Sequence, residues 1–155
     1  MSDANLVGGS EADRKELLRL LDQYIEANAD FDLQKLQPIW SEIPEATFFN
    51  LNGHTYNGAP HWRRLWEFYK RNVKGSYWTP FDIGGVVTGE MAVIWCHRHT
   101  QRNWVGKDRP PREIHYEGEK FITRSTMVFQ KQEGKWRVVH AHFSESDSGP
   151  RPGGV

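Results

Sequence analysis

The residues with the clearest chemical potential in this chain are four polar side chains near its C-terminus: Arg124, Thr126, His140 and His142. Two runs rich in Val, Phe and Thr carry them, and residues 132–134 join the runs. A glycine at the end of such a short turn favours a three-residue hairpin loop, which would pair Thr126 with His140 and Arg124 with His142. A guanidinium, a hydroxyl and two imidazoles on one sheet face could hold an organic anion or transfer a proton.

The length of the turn decides whether these groups share a face. A two-residue turn would shift the pairing and put Arg124 and His142 on opposite faces of the sheet. We predict the longer turn, so that the polar face lines an interior cavity and the opposite face packs against another surface. That opposite face is apolar and consists of Met127, Phe129, Val139, Ala141 and Phe143.

A second pair of imidazoles, His97 and His99, lies on another predicted strand. Because alternate residues of a strand share a face, four imidazoles could meet at a metal ion such as zinc if the strands adjoin. No carboxylate or cysteine lies at a ligand-like spacing, and a wide sheet would keep the two pairs apart. We therefore predict no metal site and no cofactor, and we interpret the single cysteine, Cys96, as a buried core thiol.

Seven tryptophans, five tyrosines and eight phenylalanines are many for 155 residues. Side chains of this size require a thick core, a ligand cavity or a subunit interface to cover them. The helical spacing from Trp62 to Tyr69 fits core packing as well as a pocket wall, so both interpretations stay open. The candidates for the wall are Trp40, Trp62, Trp66, Tyr69 and Trp95.

Local signals predict three helices and a set of strands. Ser10 and the acidic residues after it open a first helix that ends near Ala29, and Asp32 caps a second helix that runs to about Trp40. Pro60 begins a third helix. Period-two patterns and turn residues predict the strands, which cover 46–51, 54–57, 81–88, 91–100 and the final hairpin.

Composition limits the function classes. The length suits one domain, over residues 11–146, with disordered ends at 1–10 and 147–155. Twenty basic residues balance twenty acidic ones without a basic stripe, so binding to nucleic acid or to a membrane has no electrostatic basis. No signal peptide is visible and one cysteine cannot form an internal disulfide, which favours a cytoplasmic location. The polar segment 104–117 interrupts the sheet either as a hairpin extension or as a lid.

The order of these elements and the closing motif resemble a known superfamily. The motif is Arg124-x-Thr126, then Gly134-x-Trp136, then His140-x-His142-x-Ser144. It is similar to the closing strands of the SnoaL-like branch of the nuclear-transport-factor-2-like superfamily, which includes ketosteroid isomerase and the calcium/calmodulin-dependent kinase association domain. The resemblance covers residues 11–146 and implies a cystatin-like α+β fold, in which about three helices and a bent antiparallel sheet enclose a conical cavity.

The resemblance also implies roles for two residues outside the motif. Tyr24 in the first helix looks like the tyrosine with which ketosteroid isomerase donates a hydrogen bond to an oxyanion. Asn50 stands where that enzyme keeps its general-base carboxylate, and an amide cannot take a proton from carbon. Steroid isomerisation is therefore not expected, whereas the kinase-association relatives imply a pocket in which arginine and histidine hold a small carboxylate.

Together these observations predict a homodimer, formed through the outer sheet face, that binds a small carboxylate or aromatic ligand in the cone. The residues predicted to contact the ligand are Arg124, His142, His140, Thr126, Tyr24, Asn50, Trp40, Trp66 and Trp95. One alternative is a lyase, isomerase or hydratase in which His142 or His99 transfers a proton and Tyr24 stabilises an oxyanion. A second alternative is a non-catalytic assembly domain.

Overall fold

A seven-stranded sheet with helices against one face forms the molecule. The computed structural model describes residues 4–107 and 117–154. The strands are β1 (Asn5–Gly8), β2 (Thr47–Phe49), β3 (Thr55–Asn57), β4 (Tyr77–Thr88), β5 (Met91–Asn103), β6 (Glu117–Gln132) and β7 (Lys135–Glu145). The helices are α1 (Glu11–Asn28), α2 (Leu33–Leu36) with a 3₁₀ turn (Gln37–Ile39) after it, and α3 (Gly58–Asn72).

The helices begin where the sequence places caps. The Ser10 hydroxyl accepts a hydrogen bond from the Asp13 amide at 3.0 Å, and the Asp32 carboxylate accepts from the Gln34 amide at 3.1 Å, so each helix start has a satisfied donor. Pro60 lies in the first turn of α3, where its missing N–H costs nothing. The inward faces of α1 and α3 then bury their apolar residues, which are Leu17, Leu20, Leu21, Tyr24, Trp62, Leu65, Trp66 and Tyr69.

The four long strands pair as antiparallel neighbours, and the short strands extend the sheet at both ends. The strand order is β1-β4-β5-β6-β7-β2-β3. The pairs β1–β4 and β2–β7 are parallel, so the sheet is mixed where the sequence predicted an antiparallel one. A register shift between Phe81 and Gly84 interrupts the β4–β5 ladder, and such irregularities increase the local twist. The bent sheet leaves space between its inner face and the helices.

The final hairpin differs from the predicted register. Glu133 and Gly134 both have positive φ, 51° and 77°, which is the two-residue type I′ turn that matches the twist of the strands. A second irregularity follows, because Phe129 pairs with Val138 and Val128 with His140, so that Val139 is an extra residue in β7. The predicted pairs are therefore wrong: Thr126 lies opposite His142, and Arg124 lies opposite Ser144.

The turn and the bulge have opposite effects on the faces of the hairpin. The two-residue turn alone would separate Arg124 from His142, and the extra residue in β7 returns both to one face. That face is the outer one, because Arg124, Thr126 and His142 are exposed and His140 is half-buried. The prediction that these four residues face the cavity is wrong. The helices cover the more apolar face instead, and its buried residues are Met127, Phe129, Ala141 and Phe143.

The N-terminal segment that was predicted to be disordered contains strand β1. Residues 5–8 pair in parallel with residues 84–87 at the edge of β4. Arg14 in α1 holds this strand, since its Nη1 donates to the carbonyls of Gly8 and Gly9 at 2.7 and 2.8 Å. At the other end, residues 147–154 form no helix or strand, and their disorder stays a prediction.

The segment 104–117 lies largely outside the described residues, which stop at 107 and resume at 117. Its first residues join α3, because the Asn72 carbonyl accepts from the amides of Val105 and Gly106 at 2.7 and 3.3 Å. The rest of the segment, which was predicted to be a hairpin extension or a lid, lies outside the described residues. In the parts of the chain that the structure does cover, no helix combines the length and the apolarity needed to cross a bilayer.

Asp13 ties α1 to the final hairpin. Its Oδ1 accepts from Lys131 Nζ and Trp136 Nε1, both at 2.9 Å, and these hydrogen bonds lower the pKa of the carboxyl group from 3.8 to about 2. Because this carboxyl group has a lower pKa in the folded protein than its unfolded value of 3.8, its ionised form stabilises the fold. The stabilisation is fully present at pH values above 3.8 and is lost as the pH falls through about 2. We expect Asp13→Asn to lower the melting temperature at pH 7, and expect the difference from wild type to shrink between pH 4 and pH 2.

Thermal melts across this pH range test the prediction. Glu11→Gln is the matched control, because Glu11 lies in the same helical turn and its ion pair with Lys15 is highly exposed. A pH-independent difference between Asp13→Asn and wild type would contradict the assigned role of the carboxylate.

Candidate functional site

A pocket lies between the helices and the inner face of the sheet. Helices α1 and α3, the segments after α1 and β2, and the strands β4, β5 and β7 all contribute to it. Of its lining residues, Asn50 and Leu51 are partly exposed and the others are buried, so the mouth is at the loop after β2. The lining residues are Tyr24, Asn28, Phe31, Asn50, Leu51, Trp62, Leu65, Trp66, Tyr69, Trp78, Arg98, Arg102 and Phe143.

The free space in this pocket is small. The centre of a water-sized sphere can occupy about 30 Å³ of it. On this measure about 10–15 Å³ is enough to hold one water molecule, so the pocket accommodates a head group of a few atoms.

The most unusual group in the pocket is the guanidinium of Arg98, whose residue is only 1% exposed. Its Nε donates to Thr123 Oγ1 at 3.0 Å and its Nη1 donates to the Tyr24 hydroxyl at 3.2 Å, and both acceptors are neutral. None of the ion pairs found among the described residues involves Arg98. A buried charge is costly unless an opposite charge compensates it, so this environment favours an anion next to Arg98.

Two aromatic rings partly compensate the buried charge. Arg98 Cζ lies 4.8 Å from the centre of the Trp78 ring and 5.0 Å from that of Phe143. Arg102 approaches the same indole, with its Cζ at 5.4 Å. Cation–π contacts of this kind contribute about 0.5–2 kcal/mol each, which is less than the cost of burying an ion.

Three further residues of the wall carry hydrogen-bond donors. The indole Nε1 atoms of Trp62 and Trp78 are buried and have no acceptor in the described part of the protein. The Tyr24 oxygen accepts from Arg98, which leaves its own proton for another acceptor. Burial raises the pKa of Tyr24, against the opposing effect of Arg98, so the hydroxyl stays protonated. The pocket is thus complementary to a group that accepts hydrogen bonds.

Strand periodicity explains why Arg98 points inward. Residues 92, 94 and 96 of β5 are small or apolar and buried, and the same face continues with Arg98, Thr100 and Arg102. Cys96 lies on this stripe as the predicted core thiol: it is buried, and burial raises the pKa of its thiol. This alternation is readable from the sequence, but the prediction named the neighbouring residue His99 as a candidate on this strand instead.

The structure divides the predicted site residues between two faces of the sheet. Tyr24, Asn50 and Trp66 line the pocket, and Asn50 Nδ2 donates to the Tyr69 hydroxyl at 3.4 Å. Trp40 lies behind the wall and packs against Tyr24 and Trp66 with ring centres 5.8 and 5.6 Å away. The other predicted residues face outward, away from the pocket: Arg124, Thr126, His140, His142, His99 and Trp95.

Acid–base chemistry by histidine in the pocket is therefore contradicted. His99 and His142 lie on the outer face of the sheet, because the residues that alternate with them face the core. The described lining residues include no carboxylate, imidazole or thiol. Of the three catalytic candidates, Tyr24 alone contributes to the pocket, and it is a hydrogen-bond donor rather than a base.

The imidazoles of the outer face form two separate aromatic clusters. Phe49 meets His140 and His142 edge to face at 4.8 and 5.3 Å between ring centres. Further along the same outer face, at β4 and β5, the Phe81 ring stacks on the rings of His97 and His99, with 5.3 and 4.3 Å between ring centres. Within residues 4–107 and 117–154, no group of three or more His, Cys, Asp or Glu side chains is arranged to hold a metal ion.

The α+β cone with an interior pocket defines the class of protein. The family model of the SnoaL-like domain matches residues 17–147, and the chain belongs to this family. The match, together with cystatin-like structural neighbours, confirms the fold predicted from the closing motif.

Solved structures of the same fold share little sequence with this chain. A nuclear-transport-factor-2-like protein of unknown function from Pseudomonas putida is 18% identical over 88% of this chain and 89% of its own, with a TM-score of 0.71. A proposed dehydratase from Streptomyces avermitilis is 15% identical over 89% and 99%, with a TM-score of 0.72. A proposed aromatic ring hydroxylase from Novosphingobium aromaticivorans is 14% identical over 90% and 93%, with a TM-score of 0.71. No curated protein matches the chain.

Proposed function

We propose that this protein binds a small organic carboxylate in the interior pocket and that Arg98 provides the positive charge that holds it. The observation that carries this proposal is a guanidinium that is 99% buried and that, among the described residues, bonds only to neutral groups. A carboxylate is the counter-ion whose two oxygens match a guanidinium in shape as well as in charge.

The rest of the wall supports an anionic head group with an apolar body. Tyr24, Trp62 and Trp78 line the pocket and carry an O–H or N–H donor, and the buried indole N–H groups of the two tryptophans have no acceptor among the described residues. Exclusion of water strengthens the attraction between the bound carboxylate and Arg98. The head group fills the space of about 30 Å³, so ligands with a larger body require movement at the mouth, at Asn50 and Leu51.

Binding is favoured over catalysis because the described wall contains no general base. The names of the structural neighbours, a proposed dehydratase and a proposed hydroxylase, belong to proteins that are 15% and 14% identical and share the fold with this chain. One fold hosts many functions, so these names do not assign an activity here.

Titration of the protein with acetate, followed by NMR and by thermal unfolding in a buffer without chloride, tests the proposal. Acetamide is the matched control, because it has nearly the same shape and no charge. We expect acetate to raise the melting temperature and to shift the resonances of pocket residues, and acetamide to do neither. Equal effects of the two compounds, or no effect of acetate, would contradict the proposed function.

We also propose that the outer face of the sheet joins two copies of the chain. This face contains large apolar side chains that are 38–44% exposed, namely Ile122, Phe49, Val86, Met91 and Trp95. Gly84 lies under the Trp95 indole, where an added Cβ would come within 2.6 Å of Nε1, so the ring lies flat on the sheet. A broad apolar face of this kind suits an isologous contact between identical copies, since a twofold axis places the patch against itself.

Trp95→Asp is expected to convert the dimer to a monomer. Light scattering should give about twice the chain mass of 18.1 kDa for the wild type and the mass of one chain for the variant. Val105→Asp is the control, because Val105 is 60% exposed and lies after the end of β5. A wild-type protein that is monomeric at high concentration, or a Trp95→Asp dimer, would remove the proposed interface.

A further inference from the structure

Arg98 is part of a closed ring of hydrogen bonds. Its Nε donates to Thr123 Oγ1 at 3.0 Å, Thr123 Oγ1 lies 2.8 Å from Thr100 Oγ1, and Thr100 Oγ1 donates to the Arg98 carbonyl at 3.2 Å. Each hydroxyl has one proton. Because Thr100 gives its proton to the carbonyl, Thr123 must donate to Thr100, so the direction of every bond is fixed. All three residues are at most 1% exposed.

This ring of hydrogen bonds occupies the Nε–H group of the Arg98 guanidinium. The terminal edge of the guanidinium, formed by Nη1 and Nη2, is left for a ligand. Nη1 gives one of its two protons to Tyr24, and the described residues accept no hydrogen bond from Nη2. The terminal edge of a guanidinium offers two parallel N–H groups that match the two oxygens of a carboxylate. The Tyr24 proton, which Arg98 does not use, is available to the same oxygens.

We propose that Thr123 positions Arg98 so that its Nη1 and Nη2 atoms receive a planar carboxylate end-on, and that the pocket consequently prefers carboxylates to tetrahedral oxyanions. This inference rests on the proposed function and specifies its ligand. A sulfate or phosphate ion is tetrahedral and brings two more oxygen atoms than a carboxylate into a space of about 30 Å³, whereas the terminal edge of Arg98 matches two oxygen atoms that lie in one plane. Thr123 itself does not line the pocket, so it acts through Arg98.

Replacing Thr123 with valine tests the positioning role, because valine has the shape of threonine without the hydroxyl. We expect Thr123→Val to weaken acetate binding about tenfold, which corresponds to the loss of one hydrogen bond to a charged group. Thr123→Ser keeps the hydroxyl and should restore binding to within about twofold of wild type. Ser125→Ala is the matched control: Ser125 is buried two residues further along the same strand face, and its hydroxyl contacts Cys96 rather than Arg98.

The Nε–H resonance of Arg98 provides a readout that a merely structural role would not change. In the wild type this proton should be protected from exchange and should shift when acetate is added, and the protection should be lost in Thr123→Val and kept in Thr123→Ser and Ser125→Ala. Circular dichroism confirms that each variant is folded. The comparison of acetate with sulfate and phosphate uses the wild-type protein, so it does not depend on any variant.

Each outcome decides between the two proposals. If wild type binds acetate and Arg98→Met does not, but Thr123→Val binds as wild type does, the positioning role is wrong and the proposed function stands. If sulfate stabilises the wild type as much as acetate does, the preference for carboxylates is wrong. If acetate does not bind to the wild type at all, the proposed function and this inference both fail.

Discussion

Arg98→Met is expected to abolish acetate binding at concentrations that saturate the wild-type protein. Methionine fills much of the same volume, but it has no charge and no donor for the ligand. Removing one partner of a buried, hydrogen-bonded charge pair costs about 2–5 kcal/mol, so the affinity should fall by about 30-fold or more. Calorimetric titration of both proteins measures the difference.

The same substitution should leave the ligand-free protein as stable as wild type or more stable. Arg98 is buried and has no acidic partner among the residues that the structure describes, and replacing buried ions with apolar side chains is often neutral or stabilising by about 1–4 kcal/mol. Denaturant unfolding without ligand measures this effect. Arg124→Met is the matched control for binding, because that arginine is exposed on the outer face of the sheet and lies away from the pocket. Retained acetate binding in Arg98→Met, or loss of binding in Arg124→Met, would contradict the assignment of the pocket.

Trp40→Ala should destabilise the protein more than any of the other substitutions proposed above. Trp40 is 2% exposed, and its ring contacts those of Tyr24, Phe48, Trp62 and Trp66 with centres 5.0–5.8 Å away. The cavity left by a buried tryptophan costs about 3–5 kcal/mol, a large part of the stability of an ordinary domain. Because Trp40 supports Tyr24 and Trp66, we also expect weaker acetate binding in whatever fraction stays folded.

Urea unfolding of Trp40→Ala and of Tyr77→Ala checks this expectation. Tyr77 is a half-buried aromatic residue at the start of β4 that takes part in none of the ring contacts of the described residues. Its removal should cost clearly less than that of Trp40. Similar losses for the two variants would indicate that the cluster around Trp40 does not stabilise the fold as its packing suggests.

The elements of the fold were predictable where local chemistry determines them. The caps at Ser10 and Asp32 gave the starts of α1 and α2, and the glycine-containing turn at residues 89–90 gave the β4–β5 hairpin. Strand β1 was not predictable, since four residues next to two glycines carry little pattern. Their position depends on the edge of β4 and on Arg14, which are distant contacts.

The faces of the final hairpin were harder to predict than its strands. Glu133 occupies the left-handed region that non-glycine residues rarely adopt, so the turn type was not visible in its sequence. The extra residue at Val139 has no local signal either, because valine fits a regular strand equally well. Polar residues occupy both faces at the start of β6, with Thr123 inside and Arg124 outside, so the pattern could not tell which face the helices cover.

The alternation of side chains along β5, which is visible in the sequence, indicates the position of the pocket. On β5 the stripe from residue 92 to residue 96 is small or apolar, and its continuation leads to Arg98. The sequence could place that arginine on the inner face, but it could not show that residues 4–107 and 117–154 provide no carboxylate next to it. That fact depends on which side chains α1 and α3 bring to the pocket, and hence on the tertiary structure.

The bulge at Val139 lets the gene lose one codon without turning the strand over. Val138 and His140 already pair with the consecutive residues Phe129 and Val128, so removing Val139 would leave both pairs in place and close the ladder. Ala141 and Phe143 would then stay in the core. The loss of one codon further along, between residues 141 and 145, would instead move every later residue to the opposite side. Related chains should therefore vary in length by a single residue at this position of β7, and not beyond it.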